Sequence, residues 1–182
     1  MRGVYELNSA GGGSRFAPRF GIAHADARMS GEFFQRGGWW VVGQMALSAG
    51  VIAGGVLWRG QWHSAATTLG GVLLLLAGAV CGVAGTAALG RNLTPLPRPA
   101  ATAQLVQSGI YGLMRHPLYT ALFCGSLGWA LVWRSWPALV AAMVLAPFLD
   151  AKARREERWL GTQFPDYADY QRRVRRFVPW VY

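Results

Sequence analysis

Ser64-Ala65-Ala66-Thr67-Thr68-Leu69-Gly70-Gly71-Val72-Leu73-Leu74-Leu75-Leu76-Ala77-Gly78-Ala79-Val80-Cys81-Gly82-Val83-Ala84-Gly85-Thr86-Ala87-Ala88-Leu89-Gly90 carries no charged side chain. The run exceeds the roughly 18 apolar residues that a helix needs to cross a bilayer, so it predicts a membrane span. Upstream, Gly37 to Trp58 is also free of charge. Downstream, Leu118 to Trp133 and Ser135 to Leu149 are shorter, and length alone does not decide them. Together they make a tight helical hairpin with Arg134 at its turn. The expectation is an all-α integral membrane protein with about four transmembrane helices and a cytoplasmic C-terminal helical extension. The spans fall at about 37–58, 64–90, 117–133 and 135–152. They belong to one membrane domain over 37–182, with a loop at 91–117, a C-terminal part at 153–182 and a flexible cytoplasmic arm at 1–36.

Composition agrees. Of 182 residues, 53% are hydrophobic and 14% are charged, where a soluble domain carries about a quarter. The net charge of +10 would suit nucleic acid, but its placement argues against that partner. With an even number of spans, sixteen of the eighteen cationic residues lie on one side, and only Arg59 and Arg134 lie in the short turns opposite. This is the positive-inside pattern, and it predicts an inner-membrane, multi-pass protein with both termini cytoplasmic. Cys81 and Cys124 fall inside predicted spans as small packing residues. No CxxC or His/Cys cluster points to a metal. The amino end lacks the apolar core of a signal peptide, so the first span is expected in the mature chain.

Trp39, Trp40, Trp58 and Trp62 bracket the first span, as indoles do at headgroup level. Gly70-Gly71, Gly78, Gly82 and Gly85 recur at close to helical spacing in the second, a face that lets another helix approach closely. His63 reads as a solvated turn residue. The loop then opens with Pro95, Pro97 and Pro99, which exclude a regular helix. Asn92-Leu93-Thr94 matches a glycosylation sequon that has no meaning on a cytoplasmic face.

Chemistry concentrates at Gly109-Ile110-Tyr111-Gly112-Leu113-Met114-Arg115-His116-Pro117-Leu118-Tyr119. Polar groups at the edge of a membrane are costly and mark sites. Pro117 opens the third span, since proline is tolerated in a first helical turn. His116 and Tyr119 therefore lie by unpaired backbone N–H groups that favour an anionic ligand group. An interfacial anchor of arginine and tyrosine would use the same residues, and the physics of the stretch leaves both readings standing. The fourth helix should run on through Asp150 to Leu160, pairing Asp150 with Arg154 and Lys152 with Glu156 on shared faces. The hairpin returns it to the side of His116 and Tyr119, which makes Glu156 a partner for a ligand's amine or hydroxyls. The tail from Phe164 to Trp180 mixes aromatics with arginines and should lie on an anionic leaflet or fold back over the site.

Gln104-Leu105-Val106, Gly109-Ile110-Tyr111, Arg115-His116-Pro117-Leu118-Tyr119, Glu156-Glu157, Tyr167, Tyr170, Arg173-Val174 and Pro179, in this order, resemble the isoprenylcysteine carboxyl methyltransferase family, placed with the phospholipid methyltransferases. The resemblance covers roughly residues 85–180. It implies an S-adenosylmethionine-dependent membrane methyltransferase acting on a lipophilic small-molecule or lipid acceptor. Carried over by position, the cofactor would contact Gln104, Leu105, Val106, Tyr111, His116, Pro117, Leu118, Tyr119 and Glu156, flanked by Leu96 and Ala103. Catalytic or acceptor-side groups are expected at Arg115, Tyr119, Lys152 and Arg154. Lys152 stands where the family has an arginine, and Arg154 or Arg155 would be its substitutes. A membrane reductase using NADPH and a non-enzymatic membrane protein are the alternatives.

Overall fold

The computed structural model describes residues 33–94, 96–98 and 103–181. The arm at 1–32 and part of the proline-rich loop lie outside them. Among the described residues five named helices follow in order: α1 (Gly38–Leu57), α2 (Ala65–Leu89), α3 (Pro117–Trp133), α4 (Trp136–Gln163) and α5 (Tyr167–Arg173). Short 3-10 turns occupy Gly90–Asn92 and Gly109–Gly112. Among the described residues the only extended pairing is a single parallel bridge between Met114 and Arg175. Among the described residues three helices are long and apolar enough to cross a membrane, while α3, also apolar, has 17 residues and falls short of that length.

Local chemistry sets the helix ends. The Ser64 and Ser135 hydroxyls accept from the backbone N–H of Thr67 and Ala138, capping α2 and α4. Pro117 and Pro137 sit in first turns, where the missing N–H costs nothing. Arg134 adopts a positive φ of 53°, which lets the chain reverse between α3 and α4 within two residues. The two short turns meet at one end of the bundle. There Gly60 N donates to Trp133 O and Gln61 N to Arg134 O, each at 2.9 Å. Trp62 and Trp136 pack at a tilt beside them, ring centroids 4.9 Å apart. The loop after α2 and the polar end of α4 lie at the opposite end, as the hairpin reading requires. That helix passes Gly161, where the sequence had it stop, and ends at Gln163.

Small residues decide the packing. A methyl group added at Gly71 would lie 2.9 Å from Gly128 O, and one added at Gly78 would lie 2.9 Å from Ala121 O. Gly128 reciprocates, with Gly71 O 2.7 Å from its own added methyl. α2 and α3 therefore touch backbone to backbone, the arrangement that gives dispersion and weak C–H contacts their reach in lipid. α1 packs on α4 with Gly54 against the Ala138 backbone and Gly43 against the Phe148 ring. Val51, Ala142, Leu145 and Leu149 are buried there. Gly78→Ile is expected to force α2 off α3, at roughly 1–3 kcal/mol. Gly70→Ile, at a position with nothing within 4 Å, should leave stability unchanged. Thermal unfolding in detergent, followed by tryptophan fluorescence, compares the two.

Candidate functional site

At the end of the bundle away from the short turns, a groove opens between the loop after α2, the start of α3, and the α4–α5 corner. It encloses about 830 Å³, its open mouth included. Apolar walls come from residues such as Leu89, Leu105, Leu118, Leu160 and Phe164. Polar groups converge on it from Asn92, Gln104, Tyr111, His116, Tyr119, Glu156 and Tyr167. A mostly apolar cleft with a few convergent polar groups is the usual form of a small-ligand site.

The motif is held by two adjacent carboxylates on α4. Successive helix residues point about 100° apart, so Glu156 and Glu157 serve different neighbours. Glu156 turns to the groove, where its Oε2 accepts from Tyr119 Oη at 2.6 Å. Glu157 turns behind it and is buried. Its Oε1 accepts from Arg115 Nε at 3.0 Å and Nη2 at 2.8 Å, and from Arg176 Nε at 3.1 Å. Its Oε2 accepts from Arg176 Nη2 at 2.8 Å and Gln171 Nε2 at 3.3 Å. His116 Nε2 lies 3.1 Å from the same Oε1. An ionised carboxylate can only accept, so Nε2 carries the proton. Nδ1 is thereby left towards Glu156, whose Oε2 is 3.8 Å away. The imidazole stacks on the Tyr119 ring with planes 1° apart.

The tail completes the support. Arg115 N donates to Arg175 O at 2.8 Å and His116 N to Arg176 O at 3.0 Å. Thr120 Oγ1 donates to Phe177 O at 3.0 Å, and Tyr170 Oη donates to Tyr111 O at 2.7 Å. Residues 174–177 thus form a strap along the motif, and the tail does fold back on the site. Burial pushes the phenols of Tyr111, Tyr167 and Tyr170 above the usual tyrosine range, so they remain neutral donors. The Tyr167 hydroxyl is buried and has no hydrogen-bond partner among the described residues.

The expected residues fall in distinct places. Gln104, Leu105, Val106, Tyr111, His116, Leu118, Tyr119 and Glu156 line the groove, as do Leu96 and Ala103. Pro117 is fully buried as the first residue of α3. Arg115 reaches the groove, but its guanidinium is spent on Glu157, Gln171 O and Val174 O. Lys152 is 2% exposed. Its Nζ donates to Gln44 Oε1 on α1 at 2.5 Å and lies 5.1 Å from the Tyr119 ring centroid. Arg154 points outward, paired with Asp150 at 2.7 Å as the i,i+4 spacing predicts. Arg155 rests over the Trp159 ring. Sequence reasoning missed the bracing role of Glu157 and the partnership of Gln44. It also set aside Asn92 and Thr94 as an idle sequon, and both line the groove. Gln44 did carry a signal, as an amide in the middle of an uncharged run.

A family model described as phospholipid methyltransferase matches residues 66–166, more than half of the chain. The matched stretch contains all but the first residue of α2, all of α3, His116, Tyr119 and both glutamates, and ends before the strap. The chain is 34% identical over 143 residues to the nickel-cobalt-cadmium resistance protein NccN of Alcaligenes xylosoxydans xylosoxydans, covering 78% of this chain and 62% of that protein. It is 41% identical over 76 residues to the cobalt-zinc-cadmium resistance protein CzcN of Cupriavidus metallidurans, covering 41% of this chain and 35% of that one. The chain thus spans less than two thirds of either relative. Among the described residues, no group of three or more His, Cys, Asp or Glu side chains is arranged to hold a metal ion.

Proposed function

Because the chain belongs to the phospholipid methyltransferase family, we propose that it is a multi-pass membrane enzyme that moves a methyl group from S-adenosylmethionine to a lipophilic acceptor. The observation that carries this reading is the convergence of His116, Tyr119 and Glu156 on one groove at the polar end of an apolar bundle. The lining fits a cofactor of this class. It offers a carboxylate, an imidazole nitrogen, a buried hydroxyl without a partner among the described residues, and apolar walls. Gln104, Leu105, Val106, Tyr111, His116, Leu118, Tyr119 and Glu156 would hold it. When bound, it supplies a methyl group on a positively charged sulfur.

The chain's own residues contribute position and exclusion of water, which is what an in-line displacement chiefly needs. The faces of Tyr111 and Tyr119 favour a nearby cation. On the acceptor side, Lys152 places a buried positive charge behind Tyr119. That charge favours a carboxylate or thiolate acceptor, which needs no base. An amine would meet a like charge and would also have to lose a proton to Glu or Tyr. In this reading all four apolar helices cross the inner membrane as one domain over 37–182. The cationic end of the bundle, with the groove, faces the cytoplasm.

Calorimetric titration of the detergent-solubilised chain with S-adenosylhomocysteine, S-adenosylmethionine and NADPH tests the proposal. Both sulfur cofactors are expected to bind, and His116→Ala should weaken them by about tenfold or more, the worth of a hydrogen bond to a charged group. Binding of NADPH alone would replace the methyltransferase with a reductase. Binding of none would leave the motif as an anchor.

A further inference from the structure

Beside the strap, on the outer face of the motif, lies a second recess of about 580 Å³, its mouth included. It is lined by Gly112, Leu113, Arg172, Arg173, Arg175 and Trp180. Three arginines meet there with no acidic residue in the lining. One guanidinium is partly engaged, since Arg172 pairs with the Asp169 carboxylate. Arg173 reaches Gln107 Oε1 and Asp169 O. Arg175 is exposed and makes no side-chain hydrogen bond among the described residues. Large apolar side chains stand out beside these charges: Trp180 is 85% exposed, Val181 75% and Leu113 52%. The Met114–Arg175 bridge ties this surface to the chain three residues before Pro117, where α3 begins.

We infer that this face is a docking site for the headgroup of an anionic phospholipid in the leaflet where α3 starts. The inference rests on α3 being seated in the membrane. Three observations carry it. The recess lies beside the point where an apolar helix begins, which is headgroup depth. Its charge is that of three arginines, and cationic side chains near an anionic leaflet are drawn to it. Its rim is an exposed indole with aliphatic neighbours, the amphipathic mixture that settles at the membrane–water boundary. A free phosphate would account for the arginines and leave the exposed tryptophan, valine and leucine unexplained.

The test uses the full chain in lipid nanodiscs containing brominated phosphatidylglycerol or brominated phosphatidylcholine. Trp180→Phe is subtracted so that the quenching of this one indole is isolated. Trp180 should be quenched preferentially by the brominated anionic lipid. Each arginine near a charged surface contributes about fivefold in affinity, so Arg175→Gln should cut the preference by about that factor. R172Q/R173Q/R175Q should erase it while circular dichroism shows the helices intact. Should the triple variant lose helix, Arg175→Gln alone decides. Equal quenching by both lipids, or a preference that survives loss of the arginines, overturns the inference. So does a preference abolished by inorganic phosphate, which would make the recess a free-anion site.

Discussion

Glu157→Ala is expected to unfold the polar end of the molecule. The side chain is buried and receives donors from Arg115, Arg176 and Gln171, with His116 Nε2 on the same oxygen. Alanine would leave two guanidinium groups and an imidazole facing one another, where water reaches poorly: the Arg115 side chain is 7% exposed and that of Arg176 15%. Breaking a buried ion pair by deleting one partner costs about 3–5 kcal/mol. Against a total stability of about 5–15 kcal/mol, that is a large share. The measurement is thermal unfolding in detergent with limited trypsin digestion of the tail. A large fall in melting temperature and early cleavage at Arg175 and Arg176 are expected. Glu157→Gln keeps the shape and only one acceptor oxygen, so it should fall between alanine and wild type. A Glu157→Ala protein that melts with wild type would remove the glutamate from its bracing role.

Glu156→Ala, one residue earlier, should behave in the opposite way. Its carboxylate is 26% exposed and accepts one hydroxyl, from Tyr119. Stability should hardly change. S-adenosylhomocysteine affinity should fall by about 10- to 100-fold, the range for losing a hydrogen bond to a charged group. Tyr119→Phe removes the other member of the pair. In a double-mutant cycle the two losses should fail to add by about 0.5–3 kcal/mol, because both act through one contact. Affinity within about twofold of wild type for Glu156→Ala would take this residue out of the proposed cofactor site. Neighbouring glutamates, one lost to folding and one lost to ligand, are a sharper test than either variant alone.

The helices were legible because lipid leaves few choices. An uncharged run of sufficient length can only be a helix or part of a closed barrel, and Pro117 and Ser135 mark where two of them begin. The groove lining was legible where the resemblance named it. The bracing behind it was not. Glu156 and Glu157 look alike in a string, and only the helix register together with the position of the tail separates their roles. Arg115 reads in the string as a candidate reacting group, and the partners that engage its guanidinium lie 42 and 59 residues away. The same distance hid Gln44, 108 residues from Lys152. Local pattern sees the pair Asp150–Arg154 and misses every contact that depends on how the chain returns.

The strap at 174–177 has a consequence for biogenesis. A chain whose apolar helices have all been made has yet to expose Arg176 or the carbonyls that hold Arg115 and His116. Insertion and site assembly are therefore separate events, and the second waits for the segment translated after all four apolar helices. A nascent chain arrested between α5 and the strap would hold every apolar helix and leave Arg115 and His116 without their backbone partners. Quality control would meet it as a membrane protein with a loose cationic end.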